Sequence, residues 1–284
     1  MELILSNNHQ QLHITNTIPY VLQSFDTSVD IEHYESKGIS QDGVSVEGNT
    51  LSSRSITIEC TLCASSEKEL SFLKRRLITL MNPKLRLELT YKGLDNKKIE
   101  VAPVKLPYFS PIGCLVCKCL LSFICFDPYW RDARLIAIDI AKWINGFSFP
   151  CEFHEEGIEL GYRSPEKIVN IVNEGDSNCD LVIRLRARGN VVNPNIMNIN
   201  TNETIALNTT MRSGEVIEIC TEYGNKYISS TKDGTTTSIW AAKDHHSVFF
   251  PLYCGDNPIR YDADENVNSL DVSIYFRQKY LEVY

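Results

Sequence analysis

The sequence lacks an excess of basic residues. Its 28 lysines and arginines face 36 aspartates and glutamates, which leaves a net charge of −8. A protein whose main ligand is nucleic acid needs a basic surface for the phosphates. The charge balance therefore argues against direct nucleic-acid binding and is compatible with an ordinary acidic, soluble chain.

The chain also lacks a long hydrophobic run and a secretion signal. Its most apolar stretch, Cys114 to Phe126, contains Lys118 and is too short to cross a bilayer. The first residues, Met1 to Leu5, turn polar at once and have neither the basic start nor the apolar core of a signal peptide. We expect no membrane binding and synthesis in a cytoplasm.

Catalytic motifs are missing as well. The sequence has no glycine-rich phosphate loop, no G-x-S-x-G elbow and no H-E-x-x-H. Asp244-His245-His246 is interpreted as a polar loop before a strand, because adjacent residues diverge in a strand. Glu155 and Glu156 are interpreted as part of a turn, since neighbours in sequence rarely face each other across a substrate. The sequence predicts no enzyme activity and no cofactor.

Cysteines, by contrast, are numerous. The chain has ten, and the spacing of Cys60 to Cys63 and of Cys114 to Cys117 resembles that of zinc ligands. Cys60 lies in an alternating strand, however, so Cys63 points to the opposite side. Cys117 belongs to the apolar strand that follows. Buried, reduced thiols without metal are the favoured interpretation.

With 284 residues, the chain suits two domains of ordinary size. The predicted junction is the stretch SFICFDPYWRD, in which an apolar strand from Phe123 to Phe126 ends at Asp127-Pro128. Two large rings follow the proline, and the predicted domains are 1–132 and 133–284. The junction residues are Phe126, Asp127, Pro128, Tyr129 and Trp130.

The first domain is predicted to be α+β. Ile56, Ile58, Cys60 and Leu62 alternate with polar residues as in a half-buried strand. One helix, over 66–81, is predicted from a capping box formed by Ser66 and Glu69 and from leucines at helical spacing, which are Leu70, Leu73, Leu77 and Leu80. Its outer face is basic, which indicates either a solvated surface or a contact with an acidic neighbour; these residues are Lys68, Lys74, Arg75 and Arg76.

A polar segment from Tyr34 to Gly48 interrupts this pattern. Two glycine turns, flanked by short alternating stretches between Val29 and Val46, predict a hairpin or an arm that leaves the body. The segment is either a flexible loop or an arm that adds a strand to the sheet of another subunit. A head-to-tail contact of that kind can close a ring. The candidate arm residues are Tyr34, Lys37, Gly38, Gln41, Asp42 and Gly43.

The second half is predicted to be a β-sandwich, because short strands follow one another with Gly, Asn, Asp or Pro at each break. The predicted strands are 168–173, 180–188, 204–207, 215–222, 226–229, 237–240, 247–250 and 270–280. Exposed aromatics beside polar groups would suit a glycan-binding module, and Tyr223, Tyr227 and Trp240 are the candidates. Each of them also fits a sandwich core or corner.

The strand ending in F-D-P-Y-W near mid-chain resembles the distal tail protein family of long-tailed, siphovirus-type bacteriophages and related prophage particles. The turns of the second half resemble the galectin-like domain of that family; they are Gly175-Asp176, Arg188-Gly189, Asn193 to Ile196, 201–204, Ser213 to Glu215 and Gly255 to Ile259. The extra Pro258 departs from the pattern.

This resemblance implies a mainly β fold and a structural role at the virion tail tip. The first domain would form a hexameric ring that joins the tail tube to the tip or baseplate proteins. The second, galectin-like domain would lie outside the ring and hold receptor-binding proteins. A glycan-binding β-sandwich module is the alternative function.

Overall fold

A computed structural model describes residues 2–40, 42–140, 143–145, 161–163 and 167–283. The chain divides into two compact units, of which the first contains Met1–Ala133 with Tyr280–Tyr284 and the second contains Arg134–Lys279. Glu155 and Glu156 lie outside the described residues. The mainly β fold with a single described helix, in the first unit, confirms the predicted fold class.

The first unit contains β1 to β11 and α1. Their bounds are β1 Glu2–Asn7, β2 Gln11–Ile14, β3 Tyr20–Ser28, β4 Ile31–Ser36, β5 Ser45–Leu51, β6 Arg54–Cys63, α1 Glu67–Leu80, β7 Leu87–Lys92, β8 Asn96–Pro103, β9 Tyr108–Pro111, β10 Val116–Cys125 and β11 Trp130–Asp132. The main sheet runs in the order β2-β1-β7-β8-β10-β6-β3. A bridge between Thr15 and Val21 joins the two ends of this path, so the sheet curves into a barrel around its core.

Helix α1 forms where the sequence predicts it. The Ser66 hydroxyl accepts a hydrogen bond from the Glu69 amide at 3.2 Å, and the Glu69 carboxylate accepts one from the Ser65 amide at 2.7 Å. Free amides at the helix start are thereby satisfied. The four predicted leucines are buried, so the helix packs its apolar stripe on the barrel.

The second unit is a sandwich of two antiparallel sheets. Its strands are β12 Ile136–Asp139, β13 Trp143–Asn145, β14 Gly161–Arg163, β15 Ile168–Asn173, β16 Leu181–Ala187, β17 Val191–Val192, β18 Asn195–Asn198, β19 Glu203–Ala206, β20 Thr210–Met211, β21 Val216–Cys220, β22 Tyr227–Lys232, β23 Thr235–Ser238, β24 Gly255–Asp262 and β25 Leu270–Phe276, and β26 is Lys279–Tyr280. One sheet has the order β12-β25-β16-β21-β22-β23 and the other β15-β24-β18-β19. A single apolar core contains inward residues of both sheets.

One strand prediction and one turn prediction in this unit are wrong. The segment 247–250 is no strand, because the Ser247 hydroxyl bonds both the amide and the carbonyl of Ala206, at 2.8 and 2.9 Å, in place of a main-chain ladder. The predicted turn from Gly255 to Ile259 is instead the start of strand β24, which pairs with β15 and β18.

Pro258 fits inside that strand because of where β18 ends. The Pro258 carbonyl accepts a hydrogen bond from the Ile199 amide at 2.9 Å, and Ile199 lies just beyond the last paired residue of β18. In an antiparallel pair the amide and carbonyl of one residue point to the same neighbour. The side of Pro258 that lacks an amide hydrogen therefore faces Ile199, just beyond the end of the hydrogen-bond ladder with β18. A proline is tolerated at such a position.

Candidate functional site

The predicted arm is a β-hairpin formed by β4 and β5. Among the described strands these two pair only with each other, and Ser52 donates its amide to the Asp30 carbonyl at 2.9 Å to close the base. Every described residue of the hairpin except Gly48 and Leu51 is exposed. An isolated two-stranded hairpin is marginally stable in water. A partner that covers its surface would therefore stabilise this hairpin.

The hairpin exposes large apolar side chains. Tyr34 is 52% exposed and Val46 is 58% exposed, and the others are Ile31, Ile39 and Val44. It is also acidic, because residues 30–51 contain five carboxylates and one lysine. None of these carboxylates forms an ion pair within the described residues. Apolar side chains surrounded by unpaired charges are typical of a surface that binds a protein.

The candidate arm residues that the structure describes lie on one hairpin. Tyr34 is in β4, and Lys37, Gly38, Asp42 and Gly43 are in the connecting loop. Gly43 has φ +81°, a left-handed conformation that favours glycine. Gln41 lies outside the described residues.

The predicted junction residues do not share one environment. Strand β10 ends at Cys125, and Phe126 is 79% exposed instead of buried, so its assignment to the buried strand is wrong. Asp127 accepts hydrogen bonds from the Tyr129 amide at 3.2 Å and from Arg131 at 2.8 Å. This turn releases Phe126 to the surface and directs the chain into β11.

Trp130 is fully buried in the core of the first unit. Its ring meets Phe25 edge-on, with centroids 6.3 Å apart. Its indole nitrogen has no hydrogen-bond partner within the described residues. The chain leaves the first unit shortly afterwards, at Ala133.

Arg54 is a fully buried residue that sequence reasoning missed. Its guanidinium donates to the Thr27 hydroxyl at 2.7 Å, the Pro128 carbonyl at 2.7 Å, the Glu282 carboxylate at 2.8 Å and the Leu281 carbonyl. The end of the chain is thus bound to the first unit, whereas the sequence-based domain 133–284 places it in the second. A polar residue at an inward position of a strand was the available signal.

The cysteines are free thiols wherever they are described. Cys60 in β6 lies directly opposite Cys119 in β10, both are buried, and Cys63 is half-buried. Burial raises the pKa of Cys125 to about 12 and that of Cys179 to about 11. Among the described residues, no group of three or more side chains could hold a metal ion.

Alkylation of the folded protein is expected to distinguish the exposed thiols from the buried ones by their rates of reaction. Cys114 and Cys254 are exposed and should react first, because the reactive species is an accessible thiolate. Cys125 and Cys179 should react only after unfolding, since burial disfavours their thiolates. Peptide mass spectrometry after a short treatment with iodoacetamide checks this order. Equal labelling of Cys114 and Cys125 in the folded protein would contradict it.

The candidate sugar-binding aromatics lie in different settings. Tyr223 is 92% exposed, and the half-exposed Trp240 stacks on Phe249 with centroids 5.4 Å apart. The Tyr227 hydroxyl instead donates to Glu218 at 2.5 Å, and this bond raises the Tyr227 pKa. Asp244 accepts hydrogen bonds from the Asn208 side chain and the His246 amide in a loop, as the sequence predicts, but the strand predicted to follow this loop does not form.

Within the described part of the chain, no helix is long and apolar enough to cross a bilayer.

Solved structures with the same fold come from phage tails. SPP1 Dit, described as a paradigm of the hub adsorption apparatus in phages that infect Gram-positive hosts, is 12% identical, with a TM-score of 0.70 and 98% of each chain covered. Two structures of the phage P2 baseplate in its activated conformation, with Ca and with Sr, are 10% and 11% identical, each with a TM-score of 0.57 and 99% coverage of both chains. These likenesses show a shared fold.

Family models match both halves of the sequence. Residues 7–125 match the phage tail protein RIFT-related domain, and residues 174–280 match the C-terminal domain of the siphovirus-type tail component. No curated protein sequence matches the chain. Because the two tail domains occur in one chain, one in each half, the chain belongs to the distal tail protein family of siphovirus-type phages and has a structural role at the tail tip.

Proposed function

We propose that copies of this chain assemble head to tail into a hexameric ring that joins the tail tube to the tip proteins. The observation that carries the proposal is the β4–β5 hairpin, which is exposed, apolar in part and paired only with itself among the described strands. A hairpin that binds a different surface of the next copy makes a heterologous contact. Such contacts close into rings when the rotation between subunits divides a full turn.

The two units have separate tasks in this proposal. The first unit, with the predicted boundary near residue 132, forms the ring. The second, galectin-like unit lies outside and holds receptor-binding proteins. The work is recognition and the transfer of mechanical load, with no chemical step, no cofactor and no contact with nucleic acid or membrane.

Excision of the hairpin tests the proposal. Because the Ser52 amide bonds the Asp30 carbonyl, a short Gly-Ser linker can replace Ile31 to Leu51 without opening the body of the unit. We expect the melting temperature to change little and the oligomer to be lost. Native mass spectrometry and light scattering measure the assembly, alone and with tail-tube and tip proteins present.

A matched control replaces Asp233-Gly234, the exposed turn between β22 and β23, with Asn-Gly, which keeps glycine at the position with φ +77°. This variant should assemble like the unmodified chain. If the chain without its hairpin still forms the same oligomer, the ring contact lies elsewhere and the proposal fails.

A further inference from the structure

The outer face of α1 carries two cationic side chains that have no partner among the described residues. Lys68, Phe72 and Arg75 lie on one side of the helix, opposite its buried leucines. Phe72 is 63% exposed. Among the described residues, the side chains of Lys68 and Arg75 form no ion pair and no hydrogen bond, whereas the side chains of Arg86 and Lys98 pair with Glu100 and Glu88. The face is a large exposed ring between two available positive charges.

The hairpin has the opposite arrangement on one of its faces. Glu32, Tyr34 and Ser36 are every second residue of β4, so their side chains lie on the same side of the strand. Ser36 donates to the Glu47 carboxylate at 2.5 Å, which places that carboxylate on the same side, and Thr50 donates to the Tyr34 hydroxyl at 3.2 Å. This face is a large exposed ring between two carboxylates.

The spacings of the two patterns match. Lys68 and Arg75 are seven residues apart, which is about 10 Å along a helix. Glu32 and Ser36, beside which the Glu47 carboxylate lies, are four residues apart, which is about 13 Å along a strand. Long side chains bridge the small difference, so two ion pairs and an aromatic contact can form together.

We infer that the Glu32–Tyr34–Glu47 face of the hairpin binds the Lys68–Phe72–Arg75 face of α1 in a neighbouring copy. This inference rests on the proposed ring and names its acceptor surface. The hairpin and the helix are different elements, so the contact is heterologous and runs head to tail. The sequence left the basic face of α1 as either solvated or in contact with an acidic neighbour. Charge complementarity favours contact with a second copy of this chain for Lys68 and Arg75, whereas Arg76 donates to the Gln11 carbonyl of its own chain at 2.8 Å.

Charge reversal tests the inference. Lys68→Glu with Arg75→Glu places like charges in the contact, and so does Glu32→Lys with Glu47→Lys. We expect each double variant to associate roughly tenfold to hundredfold more weakly than the unmodified chain, because like charges repel across an interface. Sedimentation velocity over a range of concentrations measures this, and circular dichroism checks that each variant is folded.

Mixing the two variants gives the decisive result. A reversed hairpin then meets a reversed helix, and an unmodified hairpin meets an unmodified helix, so alternating oligomers should form. The matched control, Lys84→Glu with Lys105→Glu, changes the net charge equally at two exposed lysines and should associate normally.

Three kinds of outcome would overturn the inference. If excision of Ile31 to Leu51 abolishes assembly but both reversals leave it unchanged, the ring proposal stands and the acceptor face is wrong. If excision also leaves assembly unchanged, or if the unmodified chain stays monomeric at every concentration reached, the ring proposal fails together with the inference. Weakened variants that do not rescue each other on mixing also contradict direct pairing.

Discussion

Replacement of Trp130 by alanine is expected to lower the free energy of unfolding of the first unit by about 3–5 kcal/mol, the usual cost of removing a large buried ring. Trp130 is fully buried and contacts Phe25, which stacks on Tyr91 with centroids 6.0 Å apart. The core would have to collapse around the cavity or leave it empty. Urea unfolding followed by circular dichroism measures the loss in the transition of the first unit.

Phe126 provides the matched control within the same stretch. It is also aromatic, but it is mostly exposed, so Phe126→Ala should change stability by no more than about 0.5 kcal/mol. A loss of stability below about 1 kcal/mol for Trp130→Ala would show that the indole ring is not buried in the core.

Trp130→Phe refines the prediction. The indole N–H is buried and has no partner within the described residues, so phenylalanine removes an unsatisfied donor while it keeps most of the ring. We expect it to cost less than half as much as alanine. A cost equal to that of alanine would indicate that the indole N–H is bonded to water or to another group in solution.

Local patterns were sufficient for much of the fold. The spacing of four leucines and the Ser66–Glu69 cap predicted α1, and the alternation from Ile56 to Leu62 predicted the buried face of β6. The hairpin was recognisable from its two glycine turns. Each of these signals lies within about fifteen residues, which is the range over which period and capping operate.

Features that depend on distant residues were not predictable. Phe126 continues an apolar run in sequence, yet β10 ends at Cys125, opposite Arg54, where its partner β6 begins, and Phe126 is exposed. Pro258 fits a strand only because β18 ends beside it. Ser247 prevents a strand only because Ala206 lies within reach of its hydroxyl. The acceptor face that we propose on α1 likewise becomes interpretable only when the side chains of Lys68 and Arg75 are seen to lack partners among the described residues.

The role of Arg54 also depends on residues that are distant in sequence. Its replacement is the second change from which we expect a large loss of stability. Arg54→Met is expected to destabilise the first unit by about 3–5 kcal/mol, as is usual when one partner of a buried charged network is removed. The side chain of Glu282 is 44% exposed, so the ion pair itself contributes little. Most of the loss comes from the Thr27 hydroxyl and the carbonyls of Pro128 and Leu281, which would lose their donor.

Arg86 is the matched control, because its pair with Glu100 is exposed on both sides. Arg86→Met should cost no more than about 1 kcal/mol. Arg54→Lys should be nearly as harmful as Arg54→Met, because one ammonium group cannot reach acceptors that a planar guanidinium bonds in several directions. Chemical denaturation of the three variants measures these differences.

Whether the last residues of the chain stabilise the first unit can be tested together with Arg54. Deletion of Leu281 to Tyr284 removes two of the acceptors of this guanidinium, so the deletion should destabilise the first unit while the second keeps its own transition. In the shortened chain, Arg54→Met should cost less than in the full chain, because part of its network is already gone. If the losses of stability from the deletion and from Arg54→Met add within about 0.5 kcal/mol, the last residues and Arg54 are not coupled. Coupling above about 1 kcal/mol would establish that the last residues of the chain stabilise the first unit through this buried arginine.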